Sequence, residues 1–220
     1  MSLRVSFDQE MELLTNDLIK MGGMTDEAIR NSITALLTQN KSLAREVMNG
    51  DEAVDEMEKV IESRCLRLLL RQQPVARDLR AISTALKMIT DLERIGDQAE
   101  NIAEISLKFN NLESSEMAKH IPTMGRLAIL MVQKSIDAVV ANDPELAKQV
   151  VDDDDEVDVM FEVVKTELVK SIQKNPLDAD HAIDLMMVAK YLERIADHAV
   201  NISDWVIFYS TGLHKQTKIL

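Results

Sequence analysis

DLERIGD, at residues 91–97, and YLERIAD, at residues 191–197, each lie in a long stripe of apolar residues. The members of each stripe recur every three or four residues, which is the period of one face of an α-helix. The stripes contain Ile82, Leu86, Ile89, Leu92, Ile95, Ala99 and Ile102 in the first half, and Leu185, Val188, Leu192, Ile195, Ala199, Ile202 and Val206 in the second. No useful run has the period of two that a half-buried strand requires. The pattern predicts an all-α protein.

The two segments belong to an internal duplication. Both are followed by an Asn-Ile pair, and the offset between the halves is 100 residues. An Asp-x-x-Val-Asp pattern upstream recurs at 51–55 and 154–158, and Pro74 and Pro176 fall between the matched blocks. Because this unit is longer than a solenoid repeat, it predicts two similar bundles rather than an array.

Each half is predicted to form a three-helix bundle, so the expected fold is two tandem three-helix bundles. The breaks are marked by Ser42 as a helix cap and by Asn142-Asp143-Pro144 and Asn175-Pro176 as helix breakers. The six predicted helices run over residues 6–39, 42–71, 75–109, 115–141, 144–174 and 178–209. The predicted domains are residues 1–112 and 113–220, with residues 110–115 as the linker.

Composition and charge narrow the functional classes. The 220 residues include 46% hydrophobic but only 3% aromatic residues, with 6 Gly and 4 Pro, a balance typical of helices. The net charge of −13 disfavours nucleic acid and anionic lipid headgroups, and it favours cations or basic partner surfaces. The single cysteine, Cys65, has no disulfide partner within the chain, and neither a signal peptide nor a membrane span is evident. We therefore expect a soluble cytoplasmic protein that is not inserted in the membrane.

Carboxylates line four of the predicted helices beside the apolar seams. They are Asp51, Asp55, Glu58 and Glu62 on the second helix, Glu93, Asp97, Glu100 and Glu104 on the third, Asp154, Asp158 and Glu162 on the fifth, and Glu193, Asp197 and Asp204, with Asn201, on the sixth. Carboxylates four residues apart on a helix repel one another by a few tenths of a kcal/mol. A bound cation offsets this repulsion, although a single stripe of this kind is usually a solvated face.

The candidate metal ligands are the acidic positions that recur, together with the Asn of each repeat. They are Asp51, Asp55, Glu93, Asp97 and Asn101 in the first half, and Asp154, Asp158, Glu193, Asp197 and Asn201 in the second. Oxygen ligands without cysteine favour hard or borderline cations, namely Fe, Mn, Mg, Ca or Zn, and two facing pairs offer enough oxygens to bridge more than one ion.

The sequence does not favour catalysis, and no catalytic residue is predicted. A ferritin-type di-iron site would need inward-facing Glu-x-x-His motifs, whereas His198 is five residues from Glu193 and Gln98 takes its place in the first half. Neither a phosphate-binding Gly-rich loop nor a nucleophile–base pair is present. Cys65 lies on an apolar seam, which predicts a packed thiol, and neutralisation of neighbouring acids is sufficient to explain Arg94 and Arg194.

Several motifs in order resemble the PhoU family of phosphate transport accessory proteins, over nearly the whole chain. They are the Asp-x-x-Val-Asp-x-x-Glu pattern at 51–58, RQQPVA-x-DLR at 71–80, LERIGD at 92–97 and KYLERIADH-x-x-NI at 190–202. The resemblance implies two three-helix bundles, often as homodimers, with multinuclear iron or zinc bound by E/D-x-x-x-D pairs. It further implies a negative regulator of phosphate uptake that links the ATPase subunit of a phosphate ABC transporter to a phosphate-sensing histidine kinase and keeps the phosphate-starvation response off. The residues it suggests for partner contacts are Asp78, Arg80, Arg94 and Arg194.

The sequence departs from the family pattern at two places, and it leaves two other functions as alternatives. Ala196 stands where the first repeat has Gly96, and the second half has Asp178-Ala179-Asp180 near the position of the DLR motif. A carboxylate-bridged metalloenzyme that hydrolyses phosphoesters and a metal-buffering bundle without a partner are the alternative functions.

Overall fold

The computed structural model describes residues 3–72, 74–109, 116–214 and 217–218 of the chain. These residues form six α-helices: α1 Leu3–Thr38, α2 Lys41–Gln72, α3 Ala76–Ser106, α4 Ile121–Ala141, α5 Pro144–Lys174 and α6 Ala179–Thr211. Short 3-10 turns cover Glu116–Ala118 and Pro176–Asp178, and two-residue strands, β1 Leu213–His214 and β2 Thr217–Lys218, pair antiparallel after α6. The predicted all-α fold with two bundles of three helices is confirmed, and the small strand pair is an addition to it.

The helix boundaries follow local capping chemistry. Asp143 caps α5 by accepting hydrogen bonds from the backbone N–H groups of residues 145 and 146, while Asn142 ends α4 in the left-handed conformation. The prediction that Ser42 caps α2 was wrong. The side chain of Asn40 makes this cap instead, by accepting from the N–H groups of Ser42 and Leu43.

The start of the fourth helix also differs from the prediction. Helix α4 begins at Ile121, with Pro122 in its first turn, and the 3-10 turn Glu116–Ala118 precedes it. The apolar residues shortly before Ile121 therefore lie in this 3-10 turn and not in α4. The predicted linker at 110–115 lies outside the described residues, so the division into residues 1–112 and 113–220 stays a prediction.

The two bundles share one hydrophobic core. Helices α3 and α6 pack antiparallel at its centre, where Thr84 Oγ1 donates to the carbonyl oxygen of Trp205 at 3.3 Å. Helix α1 also contacts α4, whereas α2 packs on α1 and α3, and α5 packs on α4 and α6. The apolar cluster draws residues from all six helices, including Leu92, Ile95, Leu192 and Ile195, all fully buried. This arrangement leaves an α2–α3 groove and an α5–α6 groove on the outside.

Cys65 is a packed core thiol, as predicted. Its side chain is fully buried in α2, and this burial raises the pKa of the thiol to about 12. It therefore stays protonated and unreactive near neutral pH.

Candidate metal centres

The α2–α3 groove brings the predicted acids of the first repeat together. Asp51 is half-buried, and its pKa is raised to about 6, first by burial and then by the charges of Glu100, Asp97, Asp55 and Glu93. Two of these four neighbours, Glu93 and Asp97, are candidate ligands on α3, and Asp55 is the next candidate ligand along α2. The acidic faces of α2 and α3 therefore line the same groove.

The α5–α6 groove repeats this arrangement. The pKa of Asp154 is raised to about 6 by burial, followed by the charges of Asp158, Asp197, Asp155 and Glu193. The pKa of Asp197 is also raised, by burial and by Glu193, with an opposing contribution from Lys190. Both grooves thus hold partly desolvated carboxylates that repel one another, as the four-stripe pattern predicted.

Basic side chains partly neutralise each groove. In the first, Arg94 Nη1 lies 3.0 Å from Asp97 Oδ2, and Arg94 Nε lies 3.4 Å from Glu93 Oε2. In the second, Lys190 Nζ forms an ion pair with Glu193 Oε2. That oxygen is buried, and it accepts no hydrogen bond of ordinary geometry from the described residues besides this ion pair.

The donor set fits a hard or borderline cation, but the side chains are not assembled around one point. All eight carboxylates among the candidate ligands offer oxygen, which suits Fe, Mn, Mg, Ca or Zn. Within the described part of the chain, no three His, Cys, Asp or Glu side chains are grouped so that they could hold a metal ion. Binding would therefore require these carboxylates to change rotamer, and the contacts of Arg94 and Lys190 would compete with it.

The two asparagines among the candidate ligands make hydrogen bonds inside the protein. Asn101 Nδ2 donates to the carbonyl oxygen of Asp97, one turn back on α3, at 2.6 Å. Asn201 Nδ2 donates to Asp91 Oδ1 on α3 at 3.4 Å, and His198 Nδ1 donates to the same oxygen at 2.9 Å. Asn201 thus takes part in the α3–α6 contact.

Sequence reasoning missed Asp91 as a binding group. Its signal was a break in the repeat, since Tyr191 takes the place of Asp91 in the second half and Gln98 takes the place of His198 in the first. Positions where a duplicated sequence diverges are candidates for contacts between the two copies.

A cavity between α1, α2 and α3 adjoins the first groove. It has a volume of about 320 Å³, and Glu27, Glu46 and Asp51 contribute carboxylates to its lining. Gly96 also lines it, and a Cβ atom at this position would lie only 3.0 Å from Asp51 Oδ1. The difference between Gly96 in the first repeat and Ala196 in the second was a sequence signal for this cavity. Glu27 and Glu46 were not predicted as part of it.

The four residues suggested for partner contacts have different surroundings. Arg80 Nε donates to the carbonyl oxygen of Tyr209 at 3.2 Å, so it joins the start of α3 to the end of α6. Asp78 is half-buried in the first turn of α3, Arg94 contacts the acids of the first groove, and Arg194 is exposed on α6. Arg94 and Arg194 are thus both exposed, whereas Asp78 and Arg80 are half-buried.

Known proteins resemble this chain over nearly its whole length. The sequence model of the PhoU domain matches twice, at residues 18–106 and 121–206. The phosphate-specific transport system accessory protein PhoU homolog of Clostridium acetobutylicum is 34% identical over 95% of this chain and 96% of its own. The accessory protein PhoU of Escherichia coli is 30% identical over 94% of this chain and 86% of its own.

Solved structures agree with these sequence matches. The crystal structure of PhoU from Pseudomonas aeruginosa superimposes with a TM-score of 0.88 at 32% identity, covering 94% of this chain and 99% of that one. The phosphate transport system regulatory protein PhoU from Streptococcus pneumoniae gives a TM-score of 0.87 at 25% identity, covering 94% and 98%. With a PhoU domain in each half and relatives at this level of identity, the chain belongs to the PhoU family.

Proposed function

We propose that this chain is a cytoplasmic negative regulator of phosphate uptake and of the phosphate-starvation response. It acts as a metal-binding adaptor between the ATPase subunit of a phosphate ABC transporter and a phosphate-sensing histidine kinase, and it works as a homodimer. The observation that carries this proposal is the double match to the PhoU domain together with full-length relatives named as phosphate-specific transport system accessory proteins.

The two acidic grooves are the proposed metal sites. Asp51, Asp55, Glu93 and Asp97 would hold metal in the first groove, and Asp154, Asp158, Glu193 and Asp197 in the second. A bound multivalent cation would supply positive charge that neutralises these carboxylates. The support is electrostatic, because burial and mutual repulsion raise the pKa of both Asp51 and Asp154 to about 6.

A metal ion would have to compete for the proposed ligands with Arg94 in the first groove and with Lys190 in the second. Arg94 contacts two of the proposed ligands, and its side chain is 53% exposed, so it is able to turn away into solvent. Lys190 contacts one proposed ligand in the second groove. We infer that each site exchanges between an ion-paired state and a metal-bound state, and that this exchange changes the charge of the surface offered to partners.

Capture by purified partners tests the adaptor. The detergent-solubilised phosphate transporter and the cytoplasmic part of the histidine kinase would be immobilised separately, and saturable binding of the purified chain measured on each. We expect wild type to bind both, and Arg94→Glu and Arg194→Glu to bind more weakly while remaining folded. Arg126→Glu, which reverses an exposed arginine on α4, is the matched control. Absence of saturable binding to either partner would contradict the proposal.

A phosphoesterase would require a cationic clamp beside the metal as well as the metal itself. Among the described residues, Arg94 in the first groove and Lys190 in the second are already engaged by carboxylates. The regulator is therefore preferred to the enzyme. Incubation of metal-loaded protein with p-nitrophenyl phosphate separates the two, since sustained turnover that disappears in Asp97→Ala would support the enzyme.

A further inference from the structure

The charge of the chain is unevenly distributed. Although the whole chain carries −13, the segment from Arg64 to Arg80 contains five arginines and one acid, Asp78. The corresponding segment of the second half, residues 166–182, contains two lysines and three acids. The joint between α2 and α3 is therefore a local basic region in an acidic protein, and its copy between α5 and α6 is not.

Exposed apolar side chains share this region with exposed arginines. Leu70, in the last turn of α2, is 84% exposed, and Val75, just before α3, is 60% exposed. Leu66 lies one turn before Leu70 and is also exposed, as are Arg67 and Arg77. We call these five residues the α2–α3 tip.

Two other arginines of the segment, Arg64 and Arg80, make contacts within the protein. Arg64 contacts Glu10 and Asp17 of α1, each at 2.9 Å, and its side chain is only 16% exposed. Arg80 donates to the carbonyl oxygen of Tyr209. Among the arginines of the segment whose side chains the structure describes, Arg67 and Arg77 are thus the exposed ones.

An anionic lipid surface matches this combination of side chains. Large apolar residues left in water at the end of a helical hairpin gain free energy when they enter the boundary between headgroups and acyl chains. Arginines beside them attract anionic headgroups and keep their charge at the interface while their aliphatic stems lie along the apolar region. Exposed apolar and basic side chains at the end of a helical hairpin suit a deformable planar surface better than a preformed protein pocket.

We propose that the α2–α3 tip docks this protein directly on membranes that contain anionic phospholipid, with Leu70 and Val75 inserted and Arg67 and Arg77 on the headgroups. Within the described residues no helix is long and apolar enough to cross a membrane, so the contact is peripheral. Asp55 lies 12 residues before Arg67 on α2, and Glu93 lies 16 residues after Arg77 on α3. At 1.5 Å per residue these separations are about 18 and 24 Å along the helices. The proposed ligands of the first groove therefore do not prevent the contact, because charges more than a Debye length of about 8 Å away are largely screened at physiological salt.

The duplicated fold supplies an internal control. Leu177, at the joint between α5 and α6, is 90% exposed, so it matches the apolar exposure of Leu70. Asp178 and Asp180 lie beside it in place of arginines. If exposed leucine alone were sufficient, both ends of the molecule would bind lipid. With basic charge also required, only the α2–α3 tip binds.

Co-sedimentation with lipid vesicles tests the proposal without any partner protein. Purified chain would be mixed with vesicles of phosphatidylcholine alone or of phosphatidylcholine with phosphatidylglycerol, at low and high salt. We expect binding only with phosphatidylglycerol, and weaker binding at high salt. Each arginine near an anionic surface strengthens binding roughly fivefold, so Arg67→Glu/Arg77→Glu should weaken it at least tenfold. Leu70→Ser/Val75→Ser should also weaken it, while Leu177→Ser should bind like wild type.

Because all the substituted side chains are exposed, circular dichroism should show unchanged helix content in every variant. Wild type that does not sediment with phosphatidylglycerol vesicles would overturn the proposal and leave the tip as a surface for an acidic protein. Equal losses in Leu177→Ser and Leu70→Ser/Val75→Ser would overturn it as well. Neither result bears on capture by the transporter or the kinase, so this inference and the proposed function fail independently.

Discussion

The carboxylate of Asp91 on α3 accepts a hydrogen bond from Nδ1 of His198 on α6 at 2.9 Å. Asn201 Nδ2 donates to the same oxygen at 3.4 Å, so one acid of the first bundle binds two side chains of the second. The side chains of Asp91 and His198 are 15% and 18% exposed, which shields this contact from solvent. These directional hydrogen bonds help to set the register between α3 and α6, whose interface is otherwise mainly apolar.

Removing the shared acceptor should destabilise the contact between the bundles. Asp91→Ala leaves two partly buried donors without their partner, and we expect the free energy of unfolding to fall by about 1–3 kcal/mol. Urea denaturation followed by circular dichroism measures the loss. Asp152→Ala, which removes an exposed acid on α5, should change stability little. Equal stability of Asp91→Ala and wild type would mean that water replaces the acceptor at no cost.

Local sequence patterns were sufficient to predict the helices and the two grooves. The apolar stripes and the acids next to them are governed by helix geometry, which the spacing of residues reveals directly. The duplication then made each groove a check on the other. The positions of Asp51, Glu93, Asp154 and Glu193 were therefore sufficient to predict that α2 faces α3 and that α5 faces α6.

Features that depend on contacts between distant segments were not predictable in this way. The Asp91–His198 pair requires α3 to pack against α6, and no spacing within either helix indicates that contact. The net charge of −13 likewise concealed the α2–α3 tip, because averaging over the chain cancels a local excess of arginine. Asn40 rather than Ser42 became the cap of α2 because α1 ends one residue earlier than expected, at Thr38, and α2 begins one residue earlier, at Lys41.

The raised pKa values of Asp51 and Asp154 predict an inverted pH dependence for the metal-free protein. A carboxyl whose pKa is 3.8 in the unfolded chain and about 6 in the folded one binds more protons when folded. Its contribution to stability is therefore present below about pH 4 and is lost as the pH rises towards 6 and above. We expect Asp51→Asn and Asp154→Asn to stabilise the metal-free protein at pH 7.

The gain should be about 1 kcal/mol per substitution, because solvent screens these half-buried groups and reduces the full effect of the shift. Urea denaturation at several pH values between 4 and 7, in the presence of a chelator, measures it as the difference between variant and wild type. Asp152→Asn is the matched exposed control. A gain that is the same at pH 4 and pH 7 would show that the charge of the carboxylate is not its cause.

Gly96 should matter for the first groove more than for stability. A Cβ atom at Gly96 would lie 3.0 Å from Asp51 Oδ1 and 3.3 Å from Val54 Cγ1, so Gly96→Ala must displace both side chains. Alanine also favours the helix by up to about 1 kcal/mol, which offsets part of the crowding. We expect a small change in stability and a lower metal affinity in the first groove, measured by calorimetric titration.

Gly23→Ala is the control for the helix-propensity gain, since a Cβ atom at Gly23 meets nothing within 4 Å. It should stabilise α1 and leave metal affinity unchanged. Unchanged affinity in Gly96→Ala would mean that the position of Asp51 over Gly96 is not needed for binding.

Elemental analysis of protein purified without chelator tests the two grooves directly. We expect more than one metal ion per chain, since each groove presents two carboxylates from each of two helices. Glu93→Ala/Asp97→Ala should lose the metal of the first groove and keep that of the second, and Glu193→Ala/Asp197→Ala should do the reverse. Because the grooves lie on opposite bundles and share no ligand, the two losses should add in the combined variant. Metal-free wild type, even after reloading with Fe, Mn or Zn, would contradict the metal sites, and the repulsion among these acids would then have to be balanced by Arg94, Lys190 and protons alone.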